Sequence, residues 1–235
     1  DKAVREQTLA RCAKDIVYWI NSFVWQFNPK KVDEGRPVDP FVCWDFQAEA
    51  LTGDRGILWC MANQEDLVIE KSREMGASWL ILLAAIHSWL FTPWVKLHMI
   101  SRSELLVESA DPDSLFWKVD FVLERLPDWL MPKGFERKKH RKKKYLKNPY
   151  NDSVITGEAT TGRAGVGGRA TVMLIDEFSQ IREDFEVYDR TSDTASCRIF
   201  NGTHKGQGTC FFELTRPDTR SRINKLVMHW SQHPE

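Results

Sequence analysis

Leu67-Val68-Ile69-Glu70-Lys71-Ser72-Arg73-Glu74-Met75-Gly76-Ala77-Ser78-Trp79 is the stretch that decides how this chain folds. Its apolar triplet reads as a short buried strand, and the almost wholly apolar run from Trp79 to Phe91 reads as a helix. Strand, short loop with a glycine and a hydroxyl residue, then helix: in that setting the free N–H groups of a helix N-terminus cradle phosphate. The usual pattern is G-x-x-x-x-G-K-[ST]. Over Lys71 to Ser78 the second glycine is Gly76 and the hydroxyl is Ser78. Lys71 stands in place of the first glycine, and Ala77 in place of the lysine. Two cations, Lys71 and Arg73, are close enough in sequence to reach the phosphates from the other side of the loop.

Working outward, Thr171-Val172-Met173-Leu174-Ile175 is a second apolar strand and ends in Asp176-Glu177. Adjacent carboxylates at the end of a buried strand are costly unless they serve a cation or a reaction. Beside a phosphate loop, Asp176 would hold Mg²⁺ through its water shell. Glu177 would orient and polarise an attacking water. The plain alternative is a helix N-cap, where the dipole favours acids. Upstream, Phe41, Trp44 and Phe46 lead into Gln47 at the start of a predicted helix. A glutamine amide matches the donor and acceptor edge of adenine, and a nearby aromatic can stack on the base. The alternative is a helix start with core aromatics.

Other segments punctuate the chain. Residues 1–27 are helix-like, and 28–40 form a loop with three prolines and a glycine. Lys96 to Ile100 reads as a strand ending at Ser101-Arg102. Leu105 to Leu126 is helix-like and broken by Asp111-Pro112. Thr160 to Arg169 is a glycine-rich loop holding Arg163 and Arg169. Cys197 to Phe200 reads as a strand leading to Asn201-Gly202-Thr203, and Val227 to Trp230 as a short strand. Residues 133–147 carry nine positive charges against one acid, Glu136. Such a run is either a solvated loop or an electrostatic footprint for nucleic acid, centred on Lys142, Lys143 and Lys144.

Composition sets bounds. A chain of 235 residues makes one large α/β domain, or one domain with a small extra lobe. With 33 basic and 33 acidic residues, it is not a globally basic DNA coat. Five scattered cysteines with no C-x-x-C argue against a disulfide framework or a zinc site, and for a reducing interior. The longest apolar stretch, Trp79 to Val95, is interrupted by His87, Ser88, Thr92 and Pro93 and is too short to span a bilayer. A soluble cytosolic protein is expected.

Taken in order, these motifs resemble the ATPase domain of the large terminase subunit of tailed bacteriophages, the motor that pumps DNA into the capsid. The resemblance covers roughly residues 40–215 and is most specific at Lys71 to Ser78 and Val172 to Glu177. It implies an α/β fold with a mainly parallel sheet flanked by helices. This is a P-loop NTPase of the additional-strand catalytic-glutamate class, with a small N-terminal helical lobe. Residues 1–36 would be the helical segment and 37–235 the ATPase domain, with no nuclease domain in the chain. ATP and Mg²⁺ would be the cofactors. Gln47 would recognise adenine. Ser72, Glu74, Met75, Gly76 and Ala77 would line the phosphates, which Lys71 and Arg73 would bind as cations. Ser78 and Asp176 would hold Mg²⁺, Glu177 would be the catalytic carboxylate, and Asn201-Gly202-Thr203 the coupling motif. Arg163, then Arg169 or Arg102, would complete a neighbour's site in a homo-oligomeric ring. Partners would be double-stranded DNA, a portal protein and a small terminase subunit, in the cytoplasm of the infected host, with no membrane. The competing readings are a helicase-like DNA-dependent ATPase and a nucleotide- or DNA-binding module that does not hydrolyse.

Overall fold

The structure, a computed structural model, describes residues 1–160, 168–216 and 223–234. Its strands in chain order are β1 (Trp25–Phe27), β2 (Val38–Pro40), β3 (Leu67–Lys71), β4 (Lys96–Ser101), β5 (Arg141–Lys142), β6 (Tyr145–Lys147), β7 (Val154–Ala159), β8 (Ala170–Ile175), β9 (Ala195–Gly202) and β10 (Asn224–Met228). The helices are α1 (Lys2–Lys14), α2 (Ile16–Phe23), α3 (Asp45–Thr52), α4 (Ile57–Asn63), α5 (Ala77–Phe91), α6 (Glu104–Val107), α7 (Leu115–Leu123), α8 (Arg137–His140), α9 (Asp184–Thr191) and α10 (Cys210–Thr215).

Eight strands form one sheet in the order β10-β3-β9-β8-β4-β7-β6-β5. The first six run parallel, and β6 and β5 are antiparallel additions at one edge. Parallel sheets are covered on both faces, so their strands read as continuous apolar runs. Side chains still alternate between faces. Leu67 and Ile69 of β3, with Val172 and Leu174 of β8, enter one core. Val68, Met173 and Ile175 enter the other, with Phe178, Phe200 and Phe211. Strand β9 lies between β3 and β8. It separates the strand that leads into the phosphate loop from the strand that leads into the Asp-Glu pair.

Helix α5 is apolar all round because it is buried all round. It packs against α2, α3, α4 and α7. Ile16, Trp19 and Ile20 of α2 join this same core. The helix-like stretch expected over 1–27 ends early, in β1, which pairs with β2 and closes residues 28–37 into a hairpin. The stretch from 105 to 126 is two helices, α6 and α7, each opened by a serine cap (Ser103 and Ser114). No described helix is long and apolar enough to cross a membrane.

The basic run is not a plain loop. It folds as α8, β5 and β6, and β6 pairs with β7. Ion pairs absorb much of its charge. Arg137 and Arg141 meet Asp120, Arg141 also meets Glu108, Lys144 meets Glu104, and Lys147 meets Asp152.

His87 is buried in α5 and donates from Nε2 to the Cys12 carbonyl at 2.8 Å. Burial lowers its pKa, so the folded chain keeps it neutral. Below the ordinary histidine pKa of about 6.5 the unfolded chain takes up a proton that the folded chain refuses. Stability therefore declines as pH falls through that value, by at most about 1.4 kcal/mol per pH unit for one site. Urea midpoints between about pH 7.5 and about pH 5.5 should fall less steeply in His87→Gln than in the wild type. Equal slopes would remove this role for His87.

Candidate active site

All six parallel strands end at the same edge of the sheet, and ligands of open α/β sheets bind beyond that edge. There the chain leaves β3 and turns into α5. Gly76 caps α5 with φ +75°, and a Cβ there would stand 2.7 Å from the Gln47 amide nitrogen, so only glycine fits. Glu74 also sits in the left-handed region, at φ +66°, and is paired on the surface with Lys30. The loop is pinned from both sides. Gln47 Nε2 donates to the Met75 carbonyl at 3.2 Å, while Gln47 Oε1 accepts the Trp44 N–H at 3.1 Å. On the other flank, Ser72 N–H donates to the Met228 carbonyl, and the Trp230 N–H donates to Ser72 Oγ at 3.1 Å.

Gln47 is thus engaged at both ends of its amide and only 3% exposed. In this arrangement it ties α3 to the phosphate loop, and an adenine contact requires it to exchange one of those bonds.

Asp176 is buried at the end of β8. Its Oδ1 accepts from Ser78 Oγ at 2.9 Å and from Asn201 Nδ2 at 2.6 Å. Asn201 Oδ1 is a buried oxygen with no hydrogen-bond partner. Ser78 Oγ and Asp176 Oδ1 therefore bring two hard oxygen atoms together, and the Asn201 amide nitrogen bonds to both, at 3.2 and 2.6 Å. A single carboxylate with a hydroxyl, open to phosphates, suits Mg²⁺, which seldom uses an all-protein cage. Among the described residues no group of three or more His, Cys, Asp or Glu is placed to hold a metal ion.

Glu177 occupies the left-handed region at φ +53°, a strained backbone for a non-glycine residue and a common mark of functional sites. Its Oε1 lies 3.4 Å from Lys71 Nζ, which is also 3.4 Å from Thr203 Oγ1. These are long for charge-assisted bonds, so the ammonium is held loosely between β3, β8 and β9. The Lys71 side chain is 11% exposed and points to the carboxylate pair. The Thr203 carbonyl accepts from Ser179 Oγ at 2.6 Å. Asn201-Gly202-Thr203 therefore touches Asp176, Lys71 and the turn after Glu177 together.

A cavity of about 270 Å³ opens beside the carboxylates, lined by Ser78, Ser101, Arg102, Asp113, Lys118, Asp176 and Glu177 among others. Lys118 was not singled out in the sequence. Its Nζ donates to the Asp113 carbonyl at 2.7 Å. Burial lowers its pKa, and the charge of Asp176 opposes that shift. The only signal was a lone lysine within the apolar turns of α7. Ser179 was missed as well, since a serine after a strand carries no distinctive pattern.

Several expected residues stand apart. Arg73 is exposed and has no ion pair among the described residues. Arg163 lies outside the described residues. Arg169 directly precedes β8, at the end of the sheet opposite Asp176. Arg102 is exposed but lines the cavity. Lys142 and Lys143 are exposed, whereas Lys144 is held by Glu104 through its side chain and by Glu108 through its backbone.

The fold has counterparts among solved structures. The Thermus phage P74-26 large terminase ATPase domain superposes with a TM-score of 0.57 at 15% identity, covering 83% of this chain and 84% of that one. The HK97 bacteriophage large terminase gives 0.53 at 14% identity over 81% of this chain and 37% of its own. The large terminase of the thermophilic bacteriophage D6E in complex with ADP gives 0.51 at 14% over 79% and 44%.

The chain has the fold of a large-terminase ATPase domain. It spans well under half the length of the HK97 and D6E large terminases. The D6E protein has also been solved with ATP-γ-S. No protein-family profile and no curated protein sequence matches the chain. The terminase fold is therefore recognisable in three dimensions and in a few local motifs, at identities too low for overall sequence comparison.

Proposed function

We propose that this chain is the ATPase module of a viral DNA-packaging motor, hydrolysing ATP with Mg²⁺ and coupling it to translocation of double-stranded DNA. The observation that carries the reading is Lys71, held loosely between Glu177 and Thr203 while Ser78 bonds to Asp176. The missing lysine of the loop is replaced from the end of the preceding strand. Loop amides at the start of α5 bind the phosphates, and Lys71 moves onto the terminal phosphate. That frees Glu177 to orient the attacking water. Bound Mg²⁺ would neutralise phosphate charge, held by Ser78 and Asp176. Asn201 and Thr203 register the change, since each touches a group that ATP displaces. Residues 37–235 carry this chemistry, and 1–36 brace it. The resemblance extends the proposal to a ring of identical subunits on a portal, with a small terminase subunit, in the host cytoplasm. Arg102 is then the described arginine best placed near the carboxylates, and Arg163 the alternative.

A steady-state assay with and without double-stranded DNA tests the proposal. Hydrolysis that DNA accelerates is expected. Nucleotide binding without any turnover would return the reading to a non-hydrolysing module. A helicase-like site would carry its lysine at position 77, where Ala77 is instead buried at 1% exposure.

For DNA contact the candidates narrow to Lys142 and Lys143. Replacing both by Gln should lower the slope of log affinity against log salt by roughly 2, and Lys144→Gln should leave it unchanged. An unaltered slope in the double variant would leave the hairpin as a solvated sheet edge.

A further inference from the structure

The turn after β10 lies against the phosphate loop. Parallel pairing puts Met228 opposite Lys71, so the residues that follow run beside Ser72. The Trp230 N–H donates to Ser72 Oγ, and the His229 N–H donates to Gln232 Oε1 at 2.8 Å, which closes the turn. His233 packs edge-on against Trp44 at 4.4 Å. Trp44 in turn holds Gln47, which holds the Met75 carbonyl. The loop is therefore bracketed by α3 and by this turn, and the two brackets touch. Against this fixed frame Trp230 is 67% exposed, and its ring lies 5.2 Å from that of His229.

The sheet sets the direction in which a nucleotide must lie. Ser78, Asp176 and Glu177 mark the terminal-phosphate end, beyond β8. Counting from β8 through β9 and β3 to β10 crosses three strand spacings, roughly 14 Å. A nucleoside triphosphate lying along the loop covers that span, which brings its base to the β10 side. The Gln47 amide is already engaged with protein at both ends. An exposed indole carried on a backbone pinned to the loop edge offers the base a stacking surface in its place.

We propose that Trp230 is the base-stacking platform of the nucleotide site, contributed by the turn after β10. The inference rests on the ATP reading above. The test is calorimetric binding of Mg-ATP and of Mg-tripolyphosphate, which has the phosphates without a base, to the full chain. Trp230→Ala should weaken ATP by about 5- to 150-fold, the worth of one base–aromatic stack, and leave tripolyphosphate unchanged. Trp230→Phe should recover most of the ATP affinity. The hydrogen bond to Ser72 uses the Trp230 backbone, so neither variant removes it. Equal weakening of both ligands would mean that the side chain only braces the loop and would overturn the proposal. Unchanged ATP affinity would overturn it too. If the wild type bound tripolyphosphate but not ATP, the stacking idea would fail while the phosphate site stood. If it bound neither, the nucleotide reading itself would fail.

Discussion

Glu177→Gln should reduce ATP turnover by at least about 10²-fold and leave Mg-ATP affinity within a few-fold of the wild type. The substitution keeps the shape of the side chain and removes the charge that polarises water. The proposed role rests on the position of Glu177. It is the second residue after β8, in a strained left-handed conformation, with its carboxylate 3.4 Å from the Lys71 ammonium. Phosphate binding relies on loop amides and cations, which the change leaves in place. Single-turnover hydrolysis together with equilibrium binding separates the two steps. Near wild-type turnover in Glu177→Gln would remove it as the catalytic carboxylate.

Lys71→Ala should be comparably damaging, again by at least about 10²-fold in kcat/KM, while Ala77→Ser should change activity only a few-fold. Lys71 is the loop cation whose ammonium reaches Glu177, whereas Arg73 is exposed. In the proposed mechanism its neighbours Glu177 and Thr203 are the groups that respond to the terminal phosphate. Lys71→Arg should recover little, because a planar guanidinium cannot replace a compact ammonium between those two oxygens. Kinetics of the three variants decide the matter. Equal tolerance at positions 71 and 77 would end the idea of a relocated lysine.

The parts legible in the sequence were local. A strand of consecutive apolar residues, a glycine at a helix start and two acids at a strand end each have a physical cause within a few residues. They singled out Ser78, Asp176 and Glu177, which the fold brings to one cavity. The resemblance they carry anticipated the parallel sheet, and the strand order bears it out. The basic run could not be assigned to a loop or a nucleic-acid footprint from sequence, because the acids that pair with it, Glu104, Glu108 and Asp120, lie outside it in the chain. Charge counted along a chain says nothing of partners that folding supplies.

The sequence by itself determined the central strands, the helix after the phosphate loop and the chemistry available at the strand ends, since backbone preferences and burial patterns act over short range. Tertiary structure alone decided which of those groups meet. It inserted β9 between β3 and β8, bringing Asn201 and Thr203 to Asp176 and Lys71. It committed the Gln47 amide to the loop, aimed Lys71 inward, and set Trp230 at the edge of the loop. Parallel strands are joined by long crossovers, so their order is a matter of packing among distant segments, which no local pattern encodes.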